Sequence, residues 1–370
     1  MKTRLFAYSL LSFLLILITS CKEGGDSSDE LAESSVQPRL EIVLSLGEEI
    51  GDSCYVFGDI TDACITLDGN IWVLDGITNK ITVYDFSGNF LFRAGGIGEG
   101  PGEFQHPFCL TSLSDARVLV SDPPLTRATF FNTDLMVDTI ISGFIPWSPD
   151  RTAPCADGSF TGCLRTFDRE NSMYGHLLAL WDHSPQPERE YYRRECPFNR
   201  ERLRESTEES QIVFTSDFQG RVYVTAYSYS NFSIEVFDST GNLLYSIEEE
   251  REPAPKPLEE IENEREAMRR QLQSEDAPPD MQWNPAEFRC MIPLRGLGVD
   301  AQERLWVRDG RESLPVFDVY TDGELLFRTS LDESVEDIEN LRVKVTQRGI
   351  LAWSTDPECY PQLHIITVAE

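Results

Sequence analysis

Residues 67–92 read LDGNIWVLDGITNKITVYDFSGNFLF. A small polar turn is followed by an alternating apolar run, a polar loop, a second run, a Gly turn and a third run. The alternation has period two and is rich in β-branched and aromatic residues, which predicts strands and not helices. The same order returns in SDFQGRVYVTAYSYSNFSIEVFDSTGNLLYSI (216–247) and in VDAQERLWVRDGRESLPVFDVYTDGELLF (299–327). Looser copies lie at 113–140, at DGSFTGCLRTF with GHLLALWD, and from LRVKVTQRG to the last residue.

One position in the second strand anchors the repeat: Val73, Val120, Cys163, Val224, Val307 and Ala352, at intervals of 47, 43, 61, 83 and 45 residues. The short intervals match one four-stranded propeller blade; the long ones match a blade with an insertion. The last copy lacks an outer strand, and RLEIVLSLG (39–47) is a strand without a sheet. Pairing the two closes the ring and removes an open sheet edge. The expectation is an all-β chain: a six-bladed β-propeller over 39–370, closed by its N-terminal strand. Insertions are expected at 184–210 and 248–289. In the second, Leu258–Gln273 is a predicted helix between blades four and five, with Leu258, Ile261, Met268 and Leu272 as its apolar stripe. It serves as a lid or docking surface, or as solvated decoration; the pattern admits both.

RAGGIGEGPGEFQHP (93–107) looks like a phosphate cradle but fails as one. Counted from Gly96 or Gly98, the third fingerprint position is Pro101 or Glu103, no Lys follows the last Gly, and no helix pattern opens there. The stretch reads instead as the crossover from the rim of blade one to the axis of blade two. Phe104 wedges between the sheets and Pro107 leads into the next strand.

With these pieces in place, the GxGxGEFxxP run, the WVxD strand and the VYDxxGN turn resemble NHL-type repeats. The chain is similar to the six-bladed, NHL/TolB-like propeller lipoproteins of Gram-negative bacteria. That resemblance implies the fold and leaves the activity open.

The N-terminal residues suit such a protein. Lys2 and Arg4 precede an apolar run, Leu5–Ile18, of signal-peptide length, and Ile18-Thr19-Ser20-Cys21 resembles a lipobox. The expectation is a signal peptide over 1–20, a lipid on Cys21, a polar tether over 21–38, and an outer-membrane lipoprotein facing the periplasm or the cell surface. Lys and Arg number 32 against 63 acids, a net charge of −31. Such a surface repels nucleic acid and anionic lipid, so any membrane attachment falls to the Cys21 lipid.

Functional candidates cluster on the face that carries the outer-to-inner crossovers and the second-to-third-strand loops. Tyr227, Tyr229, Arg308 and Arg311 are aromatic and Arg anchors of the kind that bind partners. Trp147 and Trp283 suit either that face or the core. Asp75 and Asp122, with Asp309, recur at equivalent places and read first as turn caps; Arg127 lies in the same loop set. The expected ligand is a protein, peptide or glycan, with no cofactor and no metal.

The alternative is a metal-dependent lactonase or lyase on the axis, which needs His or carboxylates at the inner-strand starts. Those positions read Cys64, Cys109, Cys155, Val213, Gly296 and Val343, with His106 just before one strand. The three cysteines admit a soft-metal site, a disulfide between blades or plain packing. Eight cysteines beyond Cys21 leave the pairing open.

Overall fold

The computed structural model describes residues 38–199, 202–272, 283–332, 335, 337–356 and 359–369. The expected signal peptide, Cys21 and all of the tether but Pro38 lie outside them.

Six four-stranded antiparallel sheets are described. Blade one holds β2 (Ile60–Ile65), β3 (Ile71–Asp75), β4 (Lys80–Tyr84) and β5 (Phe90–Gly95), and blade two β6 (Cys109–Ser112), β7 (Val118–Asp122), β8 (Arg127–Phe131) and β9 (Val137–Ser142). Blade three holds β10 (Arg151–Pro154), β11 (Phe160–Asp168), β12 (Met173–Trp181) and β13 (Arg189–Pro197), and blade four β14 (Ile212–Ser216), β15 (Val222–Ala226), β16 (Phe232–Phe237) and β17 (Leu243–Glu249). Blade five holds β18 (Leu297–Val299), β19 (Leu305–Arg308), β20 (Val316–Thr321) and β21 (Glu324–Ser330). Blade six takes β22 (Leu341–Thr346), β23 (Gly349–Ser354) and β24 (Leu363–Ala369), and its outer edge is β1 (Arg39–Leu46), antiparallel to β24. The first strand therefore closes the ring. The chain is a six-bladed β-propeller.

The anchor residues Val73, Val120, Cys163, Val224, Val307 and Ala352 are all fully buried. Apolar side chains form six clusters, each between two neighbouring blades. This is the reason the blades alternate apolar residues on both faces of their inner strands: each sheet is covered on both sides. The repeated third-to-fourth-strand turns have a common chemistry. Asp85 accepts the N–H groups of Ser87 and Asn89, and Asp238 those of Thr240 and Asn242. Gly88 and Gly241 supply the left-handed residue, with φ of 85° and 88°.

Phe104 is fully buried in the cluster between blades one and two. The glycine loop around it is a crossover: Gly95, Gly96 and Gly102 have positive φ, and the Glu103 carboxylate folds back onto the Gly100 N–H.

One boundary differs from the sequence expectation. The stretch 184–210 is not simply an insertion, because it contains β13, the outer strand of blade three, paired along β12. Its alternation is hidden because β13 is a part-exposed outer strand in which Arg189, Arg193, Arg194 and Glu195 interrupt the inward Tyr191, Tyr192 and Cys196. What remains is a crossover with a short helix, α1 (Leu203–Glu208). The second insertion carries α2 (Leu258–Leu272), at the expected place.

Candidate functional site

In an up-and-down blade, the crossovers and the loops after the second strand emerge at one end. At that end the insertion between blades four and five is held by a two-stranded stem. Lys256 N–H donates to Glu287 O at 2.9 Å and Arg289 N–H to Ala254 O at 2.8 Å. Above the stem, Arg289 pairs with Glu260 at 2.5 Å and Lys256 with Glu264 at 2.5 Å, both acids lying on α2. Below it, Met291 N–H reaches Ser228 O and Gly310 N–H reaches Met291 O, fastening the insertion to the loops of blades four and five.

Of the predicted apolar stripe, Ile261 and Met268 are half-buried and Leu258 is exposed; the Leu272 side chain lies outside the described set. The helix is therefore held chiefly by its ion pairs and stem, and its apolar contact is narrow.

A cleft of about 370 Å³ opens between α2 and the propeller, lined by Tyr227, Tyr229, Lys256, Met268, Trp283 and Glu208 among others. The two tyrosine rings meet edge to face, centroids 5.5 Å apart. Tyr229 donates its hydroxyl to Glu208 at 2.6 Å, and Arg204 joins Glu208 at 2.8 Å to Asn284 O at 2.6 Å. Helix α1 thus ties one wall of the cleft to the returning arm of the insertion. Burial, then the neighbouring Cys290, pushes the Tyr227 phenol far above its ordinary range. Burial, then the bond to Glu208, does the same for Tyr229. With Trp283 they form the aromatic part of a lining that also holds Glu208, Lys256 and Glu264.

The other sequence-selected residues are placed differently. Arg308 is largely buried beside blade six and donates to Leu341 O at 3.1 Å; burial lowers its pKa. Arg311 is paired with Asp309, which also takes Arg328 at 2.9 Å. Burial alone would raise the Asp309 pKa, but its bonds to Arg311 and Arg328 hold it below the usual range. Asp75 accepts the N–H groups of Gly58, Ile77 and Thr78, and Asp122 those of Gln105 and His106. Both carboxylates fasten the crossover that feeds their own blade. Arg127 donates to the carbonyls of Glu99, Gly100 and Glu103 and so clamps the glycine loop. Trp147 is 45% exposed, beside Arg165. The structure brings Tyr227, Tyr229 and Trp283 together and leaves Asp75, Asp122 and Arg127 in the framework.

The axis holds what the sequence reading missed. A cavity of about 100 Å³ is lined by inner strands of all six blades. Asp62, 1% exposed, accepts the Leu110 N–H at 2.8 Å and pairs with Lys344 at 2.9 Å, so it links blades one, two and six. Arg295 stands 3.6 Å from the same carboxylate. Burial pushes the Asp62 carboxyl up, yet Lys344 and Arg295 outweigh it and hold the pKa below the usual range.

Of the expected inner-strand positions, Cys64 and Cys109 line the axial cavity, and Cys155, Val213, Gly296 and Val343 do not. Cys64 is the fifth residue of β2, Cys109 the first of β6, and Cys155 follows β10, so the three do not form a ring at one level. A β-bulge at Ile60/Asp62 shifts β2, and Val343 points off the axis into the cluster between blades five and six. A period-two step from Cys64 finds Asp62; for blade six the frame is displaced by one, onto Lys344. Cys54, Cys64, Cys109, Cys155, Cys163, Cys196 and Cys290 are free thiols, and burial pushes Cys64 up to about 12.

Among the described residues one group could hold a metal ion, Asp337, Asp356 and Cys359, whose ligand atoms lie within 4.8 Å of one another. The Asp337 carboxylate already takes bonds from Ser354 and Asn340.

No known sequence family matches the chain, and no curated protein does. Several solved structures are similar in fold. A predicted exported protein of Bacteroides fragilis is 13% identical, with a TM-score of 0.49 over 90% of this chain and 96% of that one. Virginiamycin B lyase from Staphylococcus aureus is 10% identical, TM-score 0.45, over 89% and 100%. The calcium-binding protein regucalcin from Agrobacterium tumefaciens is 10% identical, TM-score 0.44, over 85% and 92%. The likeness concerns the fold alone.

Proposed function

We propose that this propeller is a binding module of the cell envelope, tethered by a lipid on Cys21, with a protein, peptide or glycan chain held in the cleft beneath α2. The observation that carries the reading is the cleft itself. Tyr227, Tyr229 and Trp283 supply flat amphipathic surface, and Lys256 and Glu208 supply polar edges, on a base fastened by hydrogen bonds to two blades. A part-buried aromatic wall with a few placed polar groups suits recognition of extended chains. With a net charge of −31 the surrounding surface disfavours anionic polymers.

The metal-dependent lactonase or lyase reading is less well supported. Among the described residues lining the axial cavity, Asp62 is the one carboxylate, already held by Lys344, and there is no His. Such a donor set is poor for a catalytic metal.

The test is capture by crosslinking in intact cells, comparing the full protein with a version in which 257–286 is replaced by Gly-Gly between Lys256 and Glu287. The stem pairs those two residues, so a two-residue turn closes it without strain. A defined adduct formed only by the full protein supports the reading; identical adducts from both remove the cleft from it. Labelled fatty acid incorporated by the wild type and not by Cys21→Ser supports the anchor, and equal incorporation overturns it.

A further inference from the structure

The axial cavity carries a charge opposite to that of the protein. Arg151, Arg295, Lys344 and Arg348 line it, against the single carboxylate Asp62. Lys344 spends its three donors on both Asp62 oxygens and on Leu110 O. Arg151 is occupied by Ile212 O and Gln211, with Asp150 at 3.5 Å behind it. Arg295 is more loosely held: among the described residues its carboxylate contact is 3.6 Å, its hydrogen bond to Phe108 O is 3.4 Å, and its guanidinium lies 5.9 Å from the Phe108 ring. It is also held at φ 68°, a left-handed conformation that a non-glycine residue adopts at a cost. That backbone turn sets the guanidinium at the cavity wall. Arg342, largely buried and with no carboxylate within ion-pair distance among the described residues, adds its charge nearby.

Two further atoms point the same way. Ser112 Oγ and Gln347 Nε2 are buried without a hydrogen-bond partner among the described residues, and both residues line this cavity. Between these polar ends the wall is apolar, with Leu110, Ala153, Phe214, Leu297 and Val299.

We propose that the axial cavity binds a small organic oxyanion, a carboxylate or phosphate monoester on a compact apolar body. Arg295 takes the charge, Ser112 and Gln347 the polar edge, and the apolar wall the body. Asp62 is neutralised by Lys344 and does not repel the ligand. The site is separate from the cleft under α2, so either can fail without the other.

The experiment uses the full chain in detergent, titrated with benzoate, phenyl phosphate, benzyl alcohol and sodium sulfate, read by calorimetry and thermal unfolding. Benzoate or phenyl phosphate is expected to bind saturably at one site and raise Tm, with benzyl alcohol and sulfate inactive. Arg295→Gln is expected to weaken binding at least tenfold. Ser112→Phe, which fills the cavity without removing a charge, is expected to block it. Benzyl alcohol matching benzoate overturns the role of charge, and sulfate matching both reduces the effect to ionic strength. Absence of saturable binding by either acid in the wild type overturns the proposal without reference to any variant.

Discussion

The crossover from blade one to blade two and the crossover from blade four to blade five occupy the same place in the repeat, yet they are put to opposite uses. The first spans 96–108 and turns inward: Phe104 is buried, Arg127 clamps its carbonyls, Glu103 caps its own turn, and Asn79 donates to Gln105 O at 2.8 Å. The second spans 250–296 and turns outward, lifting α2 over Tyr227 and Tyr229 on a narrow stem. One connection is part of the core along its length; the other joins the core only at its returning end, where Met291 and Ile292 are buried between blades four and five. The crossover from blade three to blade four lies between these cases, because the buried His176 side chain fastens it through Ser210 at 3.0 Å.

The comparison makes ordered predictions. Phe104→Ala is expected to lower unfolding stability by about 3–5 kcal/mol, since an aromatic wedge between two sheets leaves a cavity that cannot collapse. Chemical denaturation measures this, and a loss below about 1 kcal/mol would make the first crossover as peripheral as the second.

The next effect is pH-dependent. Burial, then the charge of Arg151, lowers the His176 pKa from 6.5 to about 4. Between those values the unfolded chain takes up a proton that the folded chain refuses. Stability therefore falls as pH drops from about 6.5 to about 4, by up to about 3 kcal/mol. His176→Gln is expected to flatten that part of the stability–pH curve, and an unchanged curve would assign the acid sensitivity to other groups.

Arg127→Ala is expected to cost about 1–3 kcal/mol, because three loop carbonyls lose a charged donor. Faster proteolysis within 96–103 would locate the damage. The smallest effect belongs to the Gly-Gly replacement of 257–286, about 1–2 kcal/mol, since it removes two part-buried ion pairs, the Arg204–Asn284 bond and the buried Pro285 and Ala286 at the edge of the core. A larger loss would show that α2 braces blades four and five.

Much of the fold was legible in the chain because each blade repeats the same physical problem. The Val73 position must be apolar in every copy, the Gly88 and Gly241 turns must be left-handed, and an unpaired last strand must find a partner. These are local demands, and period-two alternation records them. Strand β13 escaped because an outer edge strand is partly solvated and its Arg and Glu side chains interrupt the apolar alternation.

The sites were legible only in part. Tyr227 and Tyr229 stood out as aromatics in a loop, and α2 as a helix among strands. Residue type could not tell Arg311, spent on Asp309, from Arg295, with long contacts at the axis. That difference depends on which carboxylates stand nearby, and those come from distant blades.

The sequence by itself determined six blades, the closing strand, the inward glycine crossover and the helical insertion, because hydrophobic periodicity and turn chemistry act between near neighbours. Only the tertiary structure decided that Asp62, Arg295 and Lys344 meet on one axis, because a bulge in β2 and the frame of β22 set their direction, and closure of the ring set their distance.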